Sequence, residues 1–239
     1  MKIPNMSGLT GILFLLVTFS LMAESIGKSA GESSAANFES LPSSIGKLTA
    51  AGVGCTAVAI SPDQVVTAAH CVFSRRTSRF LQPGSLHYLL GQRGDYKVDA
   101  VASSYQTGSR YDPTQPVDTS SEDWAVIRLQ QSLPSEYRTM QLAAHMPEPG
   151  TVVGTGGYSQ DRPFVITIDR DCRILQNLGA LQIHNCRSVP GYSGAPLIEF
   201  ASGPLPMEII GVNVGHGYFK NERVNFAIAA NVIRHELDQ

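Results

Sequence analysis

Thr67-Ala68-Ala69-His70-Cys71 closes an apolar run, Val65-Val66-Thr67, and sets a histidine beside a cysteine. A second cysteine, Cys55, opens the run before it, and Ser61-Pro62-Asp63-Gln64 between the two reads as a turn. Folding the chain about that turn pairs positions whose numbers sum to about 125 or 126, which sets Cys55 opposite residue 70 or 71. The two cysteines can then meet across a hairpin and lock the backbone next to His70. A pinned imidazole is what general-base chemistry needs, because a small displacement costs rate steeply.

Outward from this hairpin, short apolar or alternating runs recur at residues 48–60, 65–72, 86–90, 98–101 and 124–129, with turn residues between them. After Leu133-Pro134 a second series covers 151–153, 164–168, 174–183, 195–198, 209–214 and 226–229. Residues 106–122 are polar and Pro-containing, a long loop feeding Asp123. Helical periodicity is nearly absent until the end, where Asn231 is placed to cap a short helix with Ile233 and Leu237 on one face. Recurrent short strands without helices predict an all-β barrel or sandwich.

The N-terminus reads differently. Residues 11–22 are apolar, too few to span a bilayer comfortably, and fit the core of a secretory signal ending near Ala23. Residues 1–23 are therefore assigned as a signal peptide, and the Ser-, Ala-, Gly- and Glu-rich residues 24–40 as a flexible leader or pro-segment. Four cysteines in an exported chain imply two disulfides, and they fall into local pairs, Cys55 with Cys71 and Cys172 with Cys186. The second pair brackets a hairpin turning around Asn177-Leu178-Gly179. Metal binding by these cysteines, with His184, is disfavoured because no C-x-x-C spacing occurs. The net charge of −2 becomes about −3 without Lys2, and no long basic stretch exists, which argues against nucleic acid as a partner.

Three motifs together carry a family resemblance. The pentapeptide around His70, the segment Asp123-Trp124-Ala125-Val126-Ile127-Arg128-Leu129, and Gly191-Tyr192-Ser193-Gly194-Ala195-Pro196-Leu197 resemble, in this order, the histidine, aspartate and serine motifs of the chymotrypsin-like (trypsin-type) serine peptidases. The resemblance runs from about Leu41 to the C-terminus. It implies two six-stranded antiparallel β-barrels, residues 41–134 and 135–239, with a short C-terminal helix and the active site between them. It also implies a secreted or periplasmic serine endopeptidase, acting as a monomer on a peptide or protein without metal or cofactor and without a lasting membrane anchor.

In that reading Ser193 attacks, His70 takes its proton, and Asp123 orients the imidazole; Asp112 and Asp118 lack the apolar strand that follows Asp123. Gly191 permits the turn that aims its own N–H and that of Ser193 at one point as an oxyanion hole, while Gly194 is expected to leave room for the substrate backbone. A G-x-S-x-G hydrolase elbow is excluded because position 195 is Ala. Gly154-Thr155-Gly156-Gly157 lacks the Lys-Ser/Thr of a phosphate loop and resembles the family's glycine-rich opening of its second barrel.

One departure stands out. Trypsin-type zymogens carry an aspartate before the serine that pairs with a newly cut N-terminus, whereas this chain has Tyr192. The oxyanion hole must then be organised by other contacts. In this the chain is more similar to bacterial glutamyl-endopeptidase-like members. The primary pocket is expected to be lined by Arg187, Ser188 and Val189 and by the strand carrying Asn213, Val214 and Gly215. Asn213 stands where glutamyl endopeptidases carry a histidine, for which His216 is a substitute. The alternative to an enzyme is an inactive homologue that uses the cleft to bind a peptide.

Overall fold

A computed structural model describes residues 43–50, 52–92, 94–199 and 207–239; the expected signal peptide and leader, with residues 41–42, lie outside the described residues. Strands β1 (Ile45–Ala50), β2 (Val53–Ser61) and β3 (Gln64–Thr67) form an antiparallel meander. A two-stranded ribbon follows, β4 (Phe73–Ser74) with β5 (Arg79–Phe80). Then come β6 (His87–Gln92), β7 (Asp95–Thr107) and β8 (Ala125–Leu129), and the order β1-β2-β3-β8-β7-β6 closes a six-stranded barrel.

The second half adds β9 (Gln141–Leu142), β10 (Val152–Ser159), β11 (Arg162–Leu178), β12 (Leu181–His184), β13 (Pro196–Glu199), β14 (Glu208–Phe219) and β15 (Glu222–Ala229). Six of these close on themselves in the order β13-β10-β11-β12-β15-β14, since β13 also pairs with β14; β9 is an added parallel partner of β14. The closing helix is α1 (Ala230–Leu237). The molecule thus has the two barrels and terminal helix of the chymotrypsin-like fold.

The pleat explains why so many strands read as unbroken apolar runs. Val65 and Ile127 pair across β3 and β8 and point into the first barrel. Their neighbours Val66 and Val126 point the other way, into a cluster shared with Trp124, Ile198, Ile209 and Val212. Leu197 and Ile210 fill the second barrel, while Ile198 and Ile209 join the shared cluster. Strands buried on both faces need apolar residues at every position.

Several expectations shift. The run 48–60 is two strands, with Ala50 opposite Val53 and Gly52 at φ +91, a tight turn that only the loss of Cβ makes cheap. The runs at 164–168 and 174–178 belong to one strand, β11, bulged where Asp171 takes a positive φ of 64. The hairpin register pairs Val58 with Val66 and Ala59 with Val65, one or two short of the expected sum. β3 stops at Thr67, so Cys71 meets Cys55 from the 3₁₀ turn Ala69–Val72 rather than from a ladder position. Asn231 does not cap α1. The chain passes directly from β15 into the helix, so Ala229 occupies the cap and Asn231 lies in the first turn. Ile233 is buried, and Leu237 packs beside it against the shared cluster.

Candidate active site

His70 sits in the 3₁₀ turn Ala69–Val72, with the Cys55–Cys71 disulfide immediately after it. Asp123 follows another 3₁₀ turn, Ser120–Glu122, and stands two residues ahead of β8 rather than opening the strand. Its carboxylate grips His70 at two points. Oδ1 accepts the His70 backbone N–H at 2.9 Å, and Oδ2 accepts the ring Nδ1–H at 2.7 Å. The contact fixes both the position of the ring and its tautomer, because Nδ1 must carry the proton and Nε2 is left as the base. Asp123 is only 7 % exposed, so water competes little for this pair. Asp112 and Asp118 take no part; the Asp112 carboxylate is spent on Thr114 and Gln115.

Ser193 and His70 line one open cleft of about 1130 Å³ that also reaches Asp123, Gly191, Val214 and Tyr218. No hydrogen bond joins Ser193 Oγ to His70 Nε2 in this structure, a looseness common before substrate tightens the site. Tyr111 also lines the cleft; burial first, then the Asp123 charge, hold its phenol well above the ordinary range, so it stays neutral.

Around the serine each peptide is tied down. Gly191 has φ +101, and a Cβ there would strike the Tyr158 carbonyl oxygen. Gly194 has φ +82, and its missing Cβ faces Thr56 O and Thr67 Oγ1. Its role is close approach to the first barrel, not room for substrate. Thr56 on β2 is a contact the sequence reading missed. Its N–H donates to Ser193 O at 2.9 Å and its hydroxyl to Gly191 O at 2.9 Å, while that hydroxyl accepts the Tyr158 N–H at 3.0 Å. Tyr192, where an aspartate was absent, runs its buried ring under the loop and donates its hydroxyl to Thr167 O at 2.7 Å. Among the described residues the N–H groups of Gly191 and Ser193 donate to no protein acceptor.

Of the residues expected at the primary pocket, Ser188, Val189, Val214, Gly215 and His216 line the cleft, and Leu181, Gly217, Tyr218 and Phe226 join them. Arg187 and Asn213 do not. Arg187 is exposed, and its backbone N–H donates to the Asp169 carboxylate at 2.6 Å. Asn213 is buried behind the wall, between Tyr192 O and His184. On β14 the pairing with β15 is bulged between Asn213 and Gly215, so the residues that line the cleft begin at Val214 while Asn213 stays behind them.

Both expected disulfides are formed. The one compact group of potential metal ligands among the described residues is Cys55, His70 and Cys71. Its two sulfurs are bonded to each other, so the group offers no thiolate. None of the helices among the described residues is long and apolar enough to cross a membrane.

Two barrels meeting at a histidine, an aspartate and a serine define a chymotrypsin-like serine peptidase. The Trypsin family model matches residues 32–235, and the chain belongs to that family of serine endopeptidases. Its fold is similar to that of a solved Glu endopeptidase in complex with MPD, with a TM-score of 0.65 and 20 % identity, over 82 % of this chain and 91 % of that one. Among curated proteins none matches the chain.

Proposed function

We propose that the chain is an exported serine endopeptidase working through His70, Asp123 and Ser193. The observation that carries this reading is the two-point grip of Asp123 on His70. It serves catalysis by holding one tautomer, with Nε2 free to accept the proton of a serine that lines the same cleft. Ser193 Oγ attacks the scissile carbonyl as Nε2 takes its proton. The oxyanion accepts from the N–H groups of Gly191 and Ser193, and the imidazolium, stabilised by Asp123, protonates the leaving amine. Water, deprotonated by the same imidazole, then cleaves the acyl-enzyme.

The substrate is a peptide or protein. The protease is expected to act as a monomer after removal of residues 1–23, and the two disulfides fit an oxidising compartment outside the cytosol. The second reading, a peptide binder without turnover, draws on the unformed Nε2–Oγ hydrogen bond. A serine-directed phosphonate separates the two: the enzyme forms an adduct at Ser193, and a chain that forms none is a binder.

Ser193→Ala is expected to lower peptide hydrolysis by about 10³-fold or more. Its melting temperature should stay close to wild type, because among the described residues the hydroxyl makes no hydrogen bond. Activity retained in this variant would remove Ser193 from the mechanism.

A further inference from the structure

Three successive peptide planes shape the turn before Ser193, and the carbonyl of each is held by a donor. Pro190 O accepts the Gln160 N–H at 2.8 Å, and Gly191 O accepts Thr56 Oγ1 at 2.9 Å. Tyr192 O accepts both the Ala195 N–H and Asn213 Nδ2, each at 2.9 Å. In a trans peptide the N–H points opposite to the C=O. A Tyr192 carbonyl anchored inward therefore turns the Ser193 N–H outward, toward the cleft.

The chemistry of these groups allows one arrangement. A carbonyl only accepts, so Asn213 must present Nδ2 to Tyr192 and Oδ1 to the other side. On that side His184 Nε2 lies 3.2 Å away, and since Oδ1 only accepts, Nε2 must carry the ring proton. His184 is fully buried, and burial pushes its pKa down to about 4, so the ring is neutral near pH 7. The main chain of Asn213 grips the same turn, accepting from Gly194 N–H at 2.7 Å and donating to Ala195 O at 2.8 Å.

We propose that Asn213, oriented by His184, is a positioning residue that locks the 192–193 peptide with the Ser193 N–H facing the cleft, so that the oxyanion hole stands assembled without an N-terminal ion pair. The proposal rests on the serine-peptidase reading above. Turning that peptide over would place a carbonyl oxygen in the hole and leave Asn213 Nδ2 buried without an acceptor. Because Asn213 does not line the cleft, its effect must reach the substrate through the Tyr192 carbonyl.

Asn213→Val removes the donor, and Asn213→Asp keeps the shape while setting an acceptor against the carbonyl. Each is expected to lower kcat about a hundredfold, the usual effect of losing one oxyanion donor, with KM within about threefold. Phosphonate labelling of Ser193 should slow in step, and a peptide boronate should bind more weakly, whereas a non-covalent product peptide should bind as before. His184→Gln, which can still donate to Oδ1, should keep more kcat than His184→Leu. A folded Asn213 variant labelled at the wild-type rate, or one that raises KM alone, overturns the proposal. A wild-type chain that is not labelled overturns the serine-peptidase reading instead. A crystal structure of the wild-type boronate adduct decides the matter even if every variant misfolds. Tyr192 O must still lie on Asn213 Nδ2; a carbonyl turned into the hole refutes the lock.

Discussion

His184 gives the buried network a signature in stability as well as in rate. Burial lowers its pKa from 6.5 to about 4. Between those values the unfolded chain binds a proton that the native one refuses, so native stability rises with pH across this window. The stability is whole above about pH 6.5 and declines as the pH falls toward 4, by about 3 kcal/mol from this residue alone. Urea unfolding of wild type and His184→Gln at pH 7 and pH 4 should show the variant losing less stability on acidification; equal losses would contradict the buried neutral ring. Neither this role nor that of Thr56 was legible in the sequence, whereas the strings that bring His70, Asp123 and Ser193 to one cleft were. The three stand in local strings whose neighbours have local jobs. Thr56 meets Gly191 and Tyr158 at separations of 135 and 102 residues, and no short pattern marks a buried hydroxyl for that use.

At the scale of elements, the two disulfides close loops of similar size but should act differently. Each is worth about 3 kcal/mol in the chain-entropy model. Cys55–Cys71 ends the turn that carries His70, while Cys172–Cys186 lies in the core of the second barrel with Val153 and Leu197. Replacing both cysteines of the first pair with alanine should therefore lower both stability and kcat. Replacing the second pair should lower stability and leave kcat near wild type at a temperature where the variant is folded. Equal kcat losses from the two would detach the first disulfide from the placement of His70. The pairings themselves could be read because each pair brackets one turn, a local fact. The length of β11 could not, since the bulge at Asp171 interrupts the apolar pattern without ending the strand.

Element packing also bears on selectivity. The cleft wall brings Leu181, Val214 and Phe226 beside Gly215 and Gly217, and a Cβ on Gly217 would come within 2.9 Å of the Phe226 ring. Among the described residues the one carboxylate in the lining is Asp123, already engaged by His70. A Lys or Arg side chain entering this pocket loses its hydration without gaining a counter-charge. A matched series of peptides should show kcat/KM at least about tenfold lower for Lys or Arg than for Leu or Val before the scissile bond. The reverse order would mean that an acid reaches the pocket from elsewhere.

For the molecule as a whole, the two barrels share one apolar cluster and are stitched again at the serine loop, where Thr56 of the first barrel holds Gly191 and Ser193 of the second. Assembly of the barrels therefore sets the loop that carries Ser193. A trypsin-style activation would require a new N-terminal ammonium to find a buried carboxylate beside the serine. Tyr192 supplies none, its hydroxyl being committed to Thr167 O. An ammonium buried there would stand unpaired, at a cost of several kcal/mol. Chains beginning at different residues between 24 and 41 should then show similar kcat on a neutral peptide and similar phosphonate labelling of Ser193, provided the added residues do not cover the cleft. Occlusion would be recognised by a raised KM that trimming restores. Labelling that appeared with a single starting residue, and vanished when that residue was acetylated, would mean that the N-terminal amine completes the site. The hydrogen bonds from Thr56, Gln160 and Asn213 would then be insufficient to hold the oxyanion hole.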